Sequence, residues 1–404
     1  MSEATLKAIA RNIIAPCAPD ERPLLVWHGG EPMTVPAGWY DTAFSVLERE
    51  SGGLPIRHAF QTNAIGVNSQ WIDLWQKWRV NLGVSLDGPE DLHASRRRTR
   101  RGGGTHGLVM RGVSRLQAAE MPFHVISVLT AESLSRADDI YDFFVENDLR
   151  NVAFNVEEEE GQAEGSSLSG SDQIAEDYAG FLKQILRRSA DDPQPFFCRE
   201  IEGVKGLLAA PHDQRSDNWQ VTPCRIVTIG VDGGMSTFSP ELIGAKAPEF
   251  DDFVFGNVRD GGVQQMLANE AFRKTHLGIR QGVAACAAEC RYFEICGGGA
   301  PANKYFELGR FDGTETMPSR PGFSATRNRE GVAMSDQDHQ IDTPETETPK
   351  DNLTDNSGAK PKEDPAPEPD GNGFWAGIRA FLAWIFNPVI PGLILVGMIA
   401  LRVF

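Results

Sequence analysis

Two groups of residues in this 404-residue chain have types and spacing that suit chemistry. The first is Gly29-Gly30-Glu31-Pro32, which directly follows the apolar run from Leu24 to Trp27. A glycine pair at the end of a parallel strand lets the backbone approach a small ligand closely. The glycine backbone and the Glu31 carboxylate together suit a ligand with both an ammonium and a carboxylate, such as an amino-acid moiety. The alternative is an ordinary strand-to-helix turn.

The second group is a set of three cysteines, Cys286, Cys290 and Cys296, followed at once by Gly297-Gly298-Gly299. Three thiolates this close together can wrap an iron–sulfur cubane, whose sulfides need backbone N–H partners. A zinc site would require a fourth Cys or His at similar spacing, and none is nearby. The alternative is a set of reduced structural thiols.

Composition narrows the classes of protein to which the chain can belong. Its formal net charge is −17, and residues 334–373 hold 11 Asp and Glu against 3 Lys, so nucleic-acid binding is disfavoured. The first seven residues begin an amphipathic helix rather than the apolar segment of a signal peptide. We therefore expect a cytoplasmic, reducing location, where closely spaced thiols more often bind metal than form disulfides.

The elements that must position these groups can be read from periodicity. Strand-like runs occur at residues 24–28, 56–61, 81–86, 123–129 and 151–156. Helical patterns lie between them, at residues 71–78, 109–119 and 138–147. This alternation predicts an α/β fold with a parallel sheet, either doubly wound or a partial barrel.

Polar residues follow the strand-like runs one after another. The runs end in Gly29-Gly30-Glu31-Pro32, Gln61-Thr62-Asn63, Ser85-Leu86-Asp87 and Asn155-Val156-Glu157. Because the carboxyl ends of parallel strands meet at one edge, we expect these groups to converge there. The neighbouring arginine run from Arg96 to Arg101 is either a solvated surface or a contact for an acidic ligand.

In this order and spacing, the polar strand ends resemble those of the radical S-adenosylmethionine enzymes, whose fold is a partial (β/α)6 TIM-like barrel. The resemblance implies that Gly29, Gly30 and Glu31 hold the methionyl ammonium and that Ser85 holds the carboxylate or ribose. The cofactor-binding residues that it implies are Gly29, Gly30, Glu31, Pro32, Gln61, Asn63, Ser85, Asp87 and Asn155.

Further stretches, including Phe123 to Ile126 and Pro301 to Tyr305, extend the likeness over residues 1–317. They resemble the cyclophane-forming peptide maturases that carry a SPASM domain. The resemblance implies crosslinking of a ribosomally synthesised precursor peptide, with flavodoxin or ferredoxin as electron donor. It assigns an auxiliary [4Fe-4S] cluster to Cys286, Cys290 and Cys296, with Cys224 as a further candidate ligand, and it makes Glu241 a candidate proton acceptor.

The chain also departs from this pattern. Its 404 residues contain no Cys-x3-Cys-x2-Cys, the triplet that would hold the radical-generating cluster, and Cys17 stands alone. Ser239, Ala300 and Ser319 occupy places where the family has cysteines. We therefore expect the chain as printed to be inactive in radical generation. The alternative function is a non-catalytic homologue that binds S-adenosylmethionine or peptide.

The expected domain boundaries follow these likenesses. Residues 1–200 are predicted to form the barrel without its first strand, and residues 201–317 the SPASM-like iron–sulfur domain. Residues 318–373 read as a disordered, acidic, Pro-rich linker. Residues 374–404 read as an unrelated tail in which the uncharged stretch 380–401 is a membrane-spanning helix that anchors the protein. An amphipathic surface helix is the alternative for that stretch.

Overall fold

The computed structural model describes residues 1–17, 23–158, 166–168, 173–209, 218–290, 292–316 and 393–397. These residues belong to one compact unit that comprises Met1–Arg327 and Pro388–Phe404. The predicted boundary between residues 200 and 201 falls inside this unit and stays a prediction. The predicted linker, residues 318–373, lies outside the described residues.

The described strands form a single sheet. Their bounds are β1 Leu24–His28, β2 Arg57–Thr62, β3 Asn81–Ser85, β4 Phe123–Leu129, β5 Asn151–Val156, β6 Phe197–Cys198, β7 Ile226–Ile229, β8 Gly234–Thr237, β9 Gly256–Asn257 and β10 Leu393–Gly397. The order across the sheet is β6-β5-β4-β3-β2-β1-β10-β7-β8-β9. Strands β1 to β6 are parallel to their neighbours, whereas β7, β8 and β9 form an antiparallel meander.

Helices connect the parallel strands. The helices are α1 Glu3–Ile9, α2 Ala37–Glu50, α3 Ser69–Trp78, α4 Glu90–Arg96, α5 His106–Ala118, α6 Ala131–Leu134, α7 Ala137–Glu146, α8 Ile174–Asp191, α9 Arg199–Ala209, α10 Val263–Ala268, α11 Glu270–Glu289, α12 Phe293–Cys296 and α13 Pro301–Leu308. One or two helices follow each of the six parallel strands. This alternation confirms the predicted α/β class with a parallel sheet.

The core lies between the sheet and the helices, and its most aromatic part surrounds Trp27 of β1. Trp27 is fully buried, and its ring meets Tyr40 of α2 edge-on at 5.2 Å between centroids. Phe44, one turn later in α2, stacks on His58 of β2 at 3.7 Å. Burial lowers the pKa of His58 to about 3, so this imidazole is neutral and serves as a packing group. Helix α2 is thereby fixed over β1 and β2, directly behind the Gly29-Gly30 turn.

The C-terminal stretch differs from its prediction where the structure describes it. Leu393–Gly397 forms strand β10, which lies between β1 and β7 and is parallel to both. The predicted helix over residues 380–401 is therefore wrong for these five residues, and the rest of that stretch lies outside the described part. Among the described helices, none is long and apolar enough to cross a membrane.

A close backbone approach sets the position of the loop that follows β2. A Cβ placed on Gly112 of α5 would lie 2.0 Å from the backbone oxygen of Ala64. Ala64 itself has a positive φ of 56°, and its N–H donates to the Thr62 hydroxyl at 3.1 Å. Helix α5 can therefore press against this loop only because residue 112 has no side chain.

We expect Gly112→Ala to destabilise the protein by about 1–3 kcal/mol, because the added methyl group must displace backbone rather than a flexible side chain. Gly107→Ala is the matched control, since it lies on the same helix and a Cβ there meets nothing within 4 Å. Urea unfolding of both variants checks the prediction. Equal midpoints for the two variants would contradict it.

Candidate cofactor and cluster sites

The turn after β1 has a backbone that requires glycine. Gly29 and Gly30 have φ values of 85° and 144°, which residues with a Cβ rarely adopt. Glu31 follows and begins the 3₁₀ helix Pro32–Thr34, where its carboxylate accepts a hydrogen bond from the Met33 N–H at 3.0 Å. The turn is thereby held in one conformation at the end of the strand.

The same carboxylate joins the ends of β1 and β2. Glu31 Oε1 also accepts from the Thr62 hydroxyl at 2.7 Å, and Oε2 accepts from the Asn63 N–H at 2.7 Å. A carboxylate has about four lone-pair sites. With Met33, three are used by described donors, so Oε2 retains one acceptor site for a further donor, such as an ammonium.

A second contact continues along this edge from β2 to β3. The Gln61 amide donates to the Ser85 hydroxyl at 3.0 Å. On β3 itself, a Cβ on Gly83 would lie 2.1 Å from Gln61 Oε1 and 2.9 Å from His124 Nε2. The missing side chain at residue 83 thus makes room for Gln61 and His124. Glu31, Gln61 and Ser85 thus lie at the ends of three adjacent strands, and their role in binding the cofactor stays a prediction.

The carboxylate of Asp87 ties the end of β3 to β4 and to the arginine run. It accepts from Arg97 Nε at 2.5 Å and from a second guanidinium nitrogen at 3.0 Å. It also accepts from the Val128 N–H of β4 at 3.0 Å. Asp87 is 6% exposed and the Arg97 side chain is 30% exposed, so this is a bidentate ion pair between a buried carboxylate and a partly exposed guanidinium. The assignment of Asp87 to cofactor binding stays a prediction.

His93 completes this network as a neutral group. Its Nδ1 accepts from the Asp87 N–H at 3.3 Å, and its Nε2 shares a hydrogen bond with the Thr105 hydroxyl at 3.0 Å. Burial lowers the pKa of His93 to about 4, although the charge of Asp87 opposes the shift. The neutral imidazole therefore links the end of β3 to Thr105, which follows the arginine run, through two hydrogen bonds.

Two charged residues that the sequence analysis did not single out, Arg199 and Glu200, form hydrogen bonds with the end of β5. Glu200 Oε2 accepts from the Phe154 N–H of β5 at 2.9 Å, and Arg199 donates to the Asn155 side-chain oxygen. Asn155, predicted to bind the cofactor, is thus held by Arg199. Nearby, Arg96 of the arginine run pairs with Glu157. Part of the arginine run therefore stabilises the loop that follows β5.

Glu241 lies in the short 3₁₀ helix Pro240–Leu242, which follows β8. Burial raises the pKa of its carboxyl, and the negative charge of Glu158, just after β5, adds to the rise. A raised pKa makes a carboxylate a stronger base, which is a property of groups that accept protons in enzymes. The role of Glu241 stays a prediction.

The three cysteines lie around the junction of α11 and α12. Cys286 is buried in the last turn of α11, Cys290 caps that helix, and Cys296 ends α12. Gly297, Gly298 and Gly299 follow with positive φ values of 63°, 102° and 75°. Burial raises the pKa of the Cys286 thiol, the charge of Lys304 lowers it, and the other two cysteines raise it further.

The arrangement of the three cysteines differs from that of a site for a single metal ion. Among the described residues, no three Cys, His, Asp or Glu side chains converge on a point that could hold one metal ion. The thiolates of a cubane each bind a different iron atom and stand farther apart. A buried ammonium, that of Lys304, lies 3.4 Å from the Cys286 sulfur and suits an anionic group there. This ammonium and the three glycines with positive φ after Cys296 are the features that fit an anionic cluster.

Cys224 has a different environment. It has a positive φ of 62°, its N–H donates to the Thr237 hydroxyl at 2.9 Å, and burial raises its thiol pKa to about 11. Ser239 donates to the Gln220 side chain at 2.9 Å and accepts from the Ala302 N–H. The assignment of Cys224 as a cluster ligand stays a prediction.

Sequence reasoning missed Lys304, Arg199 and Glu200. Lysine is rarely buried, so the sequence gave no reason to expect Lys304 in the core. The available signal for the burial of Lys304 is its place in α13, where it directly follows the buried residues Pro301, Ala302 and Asn303. Arg199 and Glu200 open a helix directly after a two-residue strand, which is too short to read by periodicity.

Comparisons with known proteins give relatives over most of the chain. No model of a known protein family matches it. The uncharacterised protein sll1766 of Synechocystis sp. is 38% identical over 302 residues, which cover 73% of this chain and 75% of that protein. A serine-type anaerobic sulfatase-maturating enzyme of Bacteroides thetaiotaomicron is 24% identical over 294 residues, 70% of each chain.

Solved structures show the same fold. The structure of anSMEcpe with bound AdoMet and the Kp18Cys peptide has a TM-score of 0.60 and 18% sequence identity, and it covers 75% of this chain and 82% of that one. The structure of anSMEcpe with bound AdoMet alone has a TM-score of 0.62 and 16% identity, and it covers 81% of this chain and 86% of that one.

The Asp87 network generates a stability prediction. We expect Asp87→Asn to cost about 1–3 kcal/mol, because the partly exposed Arg97 guanidinium and a β4 N–H lose their charged acceptor. Asp91→Asn is the control, since its carboxylate is 60% exposed and pairs with Arg136; an exposed pair contributes at most about 1 kcal/mol. The two free energies of unfolding, measured in urea at pH 7, decide the matter. A smaller loss for Asp87→Asn than for Asp91→Asn would refute the assignment.

Proposed function

Since the chain belongs to the family of the Synechocystis protein sll1766, and its homologues include anaerobic sulfatase-maturating enzymes, we propose that it binds S-adenosylmethionine and modifies a peptide by radical chemistry. The observation that carries this proposal is the remaining acceptor site on Glu31. It lies at the carboxyl edge of a parallel sheet, beside a glycine turn. That is where a small ligand with an ammonium group can be held by both backbone and side chain.

Different residues at this edge would bind different parts of the cofactor. Glu31 would accept from the ammonium, the Gly29 and Gly30 backbone would allow close approach, and the Gln61–Ser85 pair would supply a hydroxyl and an amide for the carboxylate or ribose. S-adenosylmethionine, when reduced by a cluster, supplies a carbon radical that removes hydrogen from a substrate. Within this chain, the described residues bind and orient the ligand, and Glu241 would accept a proton near the rim.

Cys286, Cys290 and Cys296 would hold an auxiliary [4Fe-4S] cluster. The positive φ of the three glycines after Cys296 lets the backbone wrap closely around a bulky group, and the ammonium near Cys286 complements its negative charge. Such a cluster would be able to accept an electron from the substrate, and flavodoxin or ferredoxin would be the electron donor to the protein.

For the substrate we propose a ribosomally synthesised precursor peptide in which an aromatic side-chain carbon is joined to a neighbouring residue. A peptide partner is supported by the fold, since anSMEcpe has been solved with the Kp18Cys peptide bound. The crosslink itself rests on the motifs of residues 1–317. The arginine run, of which Arg98, Arg100 and Arg101 have exposed side chains, offers a contact for an acidic segment of that peptide.

A second candidate function is supported by one feature of the printed sequence. It contains no Cys-x3-Cys-x2-Cys, the thiolate set needed to hold a cluster with one open iron. A protein made of these residues alone would bind S-adenosylmethionine or a peptide without generating a radical. The two functions share the site at the sheet edge and differ in chemistry.

Binding tests the shared site. We expect the anaerobically purified chain to bind S-adenosylmethionine in equilibrium dialysis, and Glu31→Gln to weaken binding tenfold or more, because a charge-assisted hydrogen bond to the ammonium is lost. Glu50→Gln is the control, since its carboxylate pairs with Arg11 and Arg49 at the last residue of α2, the end of the helix remote from the β1 turn. No binding by the unaltered chain, or equal binding by both variants, would overturn the proposal.

The same preparation separates the two functions. After reduction, formation of 5′-deoxyadenosine from S-adenosylmethionine supports the enzyme. Binding without that product supports the non-catalytic homologue.

A further inference from the structure

Lys304 is an unusual residue for the core of a protein. Its side chain is 4% exposed, although a lysine ammonium normally reaches water. The small space around it is lined by Val221, Ile279, Val283, Gly298, Pro301 and Phe311. An ammonium in such apolar surroundings costs several kcal/mol unless a negative charge compensates it.

The described partner of this ammonium is a sulfur atom. Lys304 Nζ donates to Cys286 Sγ at 3.4 Å. Among the described residues, no carboxylate forms an ion pair with Lys304. A neutral thiol is a weak acceptor, whereas a thiolate bound to iron carries negative charge and accepts hydrogen bonds well. The charge of Lys304 therefore has a matching partner only when Cys286 is a thiolate.

Two glycines, Gly282 and Gly299, leave room for the Lys304 side chain. A Cβ on Gly282, one turn before Cys286 in α11, would lie 3.0 Å from Lys304 Nζ and 2.1 Å from the Phe311 backbone oxygen. A Cβ on Gly299, in the turn after Cys296, would lie 3.8 Å from Lys304 Cε. The lysine stem thus runs along the glycine turn to Cys286, past a helix residue that has no side chain.

We propose that Lys304 is a positioning residue for the auxiliary cluster, which supplies a fixed positive charge beside the Cys286 sulfur and raises the reduction potential of the cluster. This inference rests on the proposed cluster at Cys286, Cys290 and Cys296. Each added electron makes a cluster more negative, so a nearby ammonium favours the reduced form. Hydrogen bonds to the sulfurs and local charge are known determinants of iron–sulfur potentials. The cluster would therefore accept an electron from the substrate more readily.

The test compares Lys304→Met, which keeps the volume and removes the charge, with Lys304→Gln, which keeps an N–H donor and removes the charge. Lys246→Met is the control, because its side chain is 86% exposed and the change in net charge is the same. Iron and sulfide content and the midpoint potential, from an anaerobic redox titration followed by electron paramagnetic resonance, are measured on the reconstituted full chain.

We expect both Lys304 variants to shift the reduced-to-oxidised ratio at a given potential at least tenfold toward the oxidised form, which is about 59 mV for one electron. Lys246→Met should match the unaltered chain. Normal iron content with an unmoved potential in both Lys304 variants would overturn the inference. Absence of iron from the unaltered chain would instead overturn the proposed cluster itself.

A second measurement decides the case if the variants fail to retain iron. In the iron-free protein, a buried ammonium without a thiolate is a cost, so Lys304→Met should be at least as stable as the unaltered chain in urea. A merely structural lysine would show the opposite, a clear loss of stability on substitution. That loss in the iron-free protein, together with failure to hold iron, would contradict the inference.

Discussion

The Glu31 carboxylate is the interaction on which the proposed cofactor site depends. A parallel sheet ends in a row of strand termini whose backbone groups have no partner in the sheet, and something must hold those termini in place. Glu31 does so for β1 and β2 by accepting from Met33, Thr62 and Asn63. Because it is an anion with an acceptor site still available, the group that fixes the turn is also suited to bind an ammonium. Structure and recognition therefore use the same atoms.

The rest of the edge is built on the same principle. Gln61 joins β2 to β3 through Ser85, and Asp87 joins β3 to β4 through the Val128 N–H. Glu200 closes the far side by accepting from the Phe154 N–H of β5. Polar side chains thus bridge three successive pairs of strand ends and brace a fourth position. A ligand would meet a rim already ordered by hydrogen bonds, so little conformational entropy would have to be lost on binding.

The sequence was sufficient to predict those features that follow from local pattern. Residues 24–28, 123–129 and 151–156 form the predicted strands with the predicted bounds, because apolar runs between turn residues specify buried strands. The convergence of Glu31, Gln61 and Ser85 could be predicted because parallel strands end at a common edge. The bidentate pair of Asp87 with Arg97 and the burial of Lys304 could not, because they depend on how distant segments pack. Strand β10 was read as part of a helix for the same reason, since an uncharged apolar run suits either state and only its neighbours decide.

The two candidate sites carry opposite charge, and the difference matches what each would hold. S-adenosylmethionine bears an ammonium and a sulfonium, and the edge that would receive it presents the oxygens of Glu31, Gln61 and Ser85. An iron–sulfur cluster with thiolate ligands is an anion, and the cysteine site presents the buried ammonium of Lys304 beside Cys286. A buried charge of either sign is costly when isolated, so each site is energetically incomplete without a partner of the opposite sign. At the sheet edge, the protein N–H and hydroxyl donors already satisfy most of the carboxylate, and the cost is small. Near Cys286, the described partner of the Lys304 ammonium is one sulfur atom, so an anionic cluster at the proposed site would compensate a larger cost than a ligand at the sheet edge.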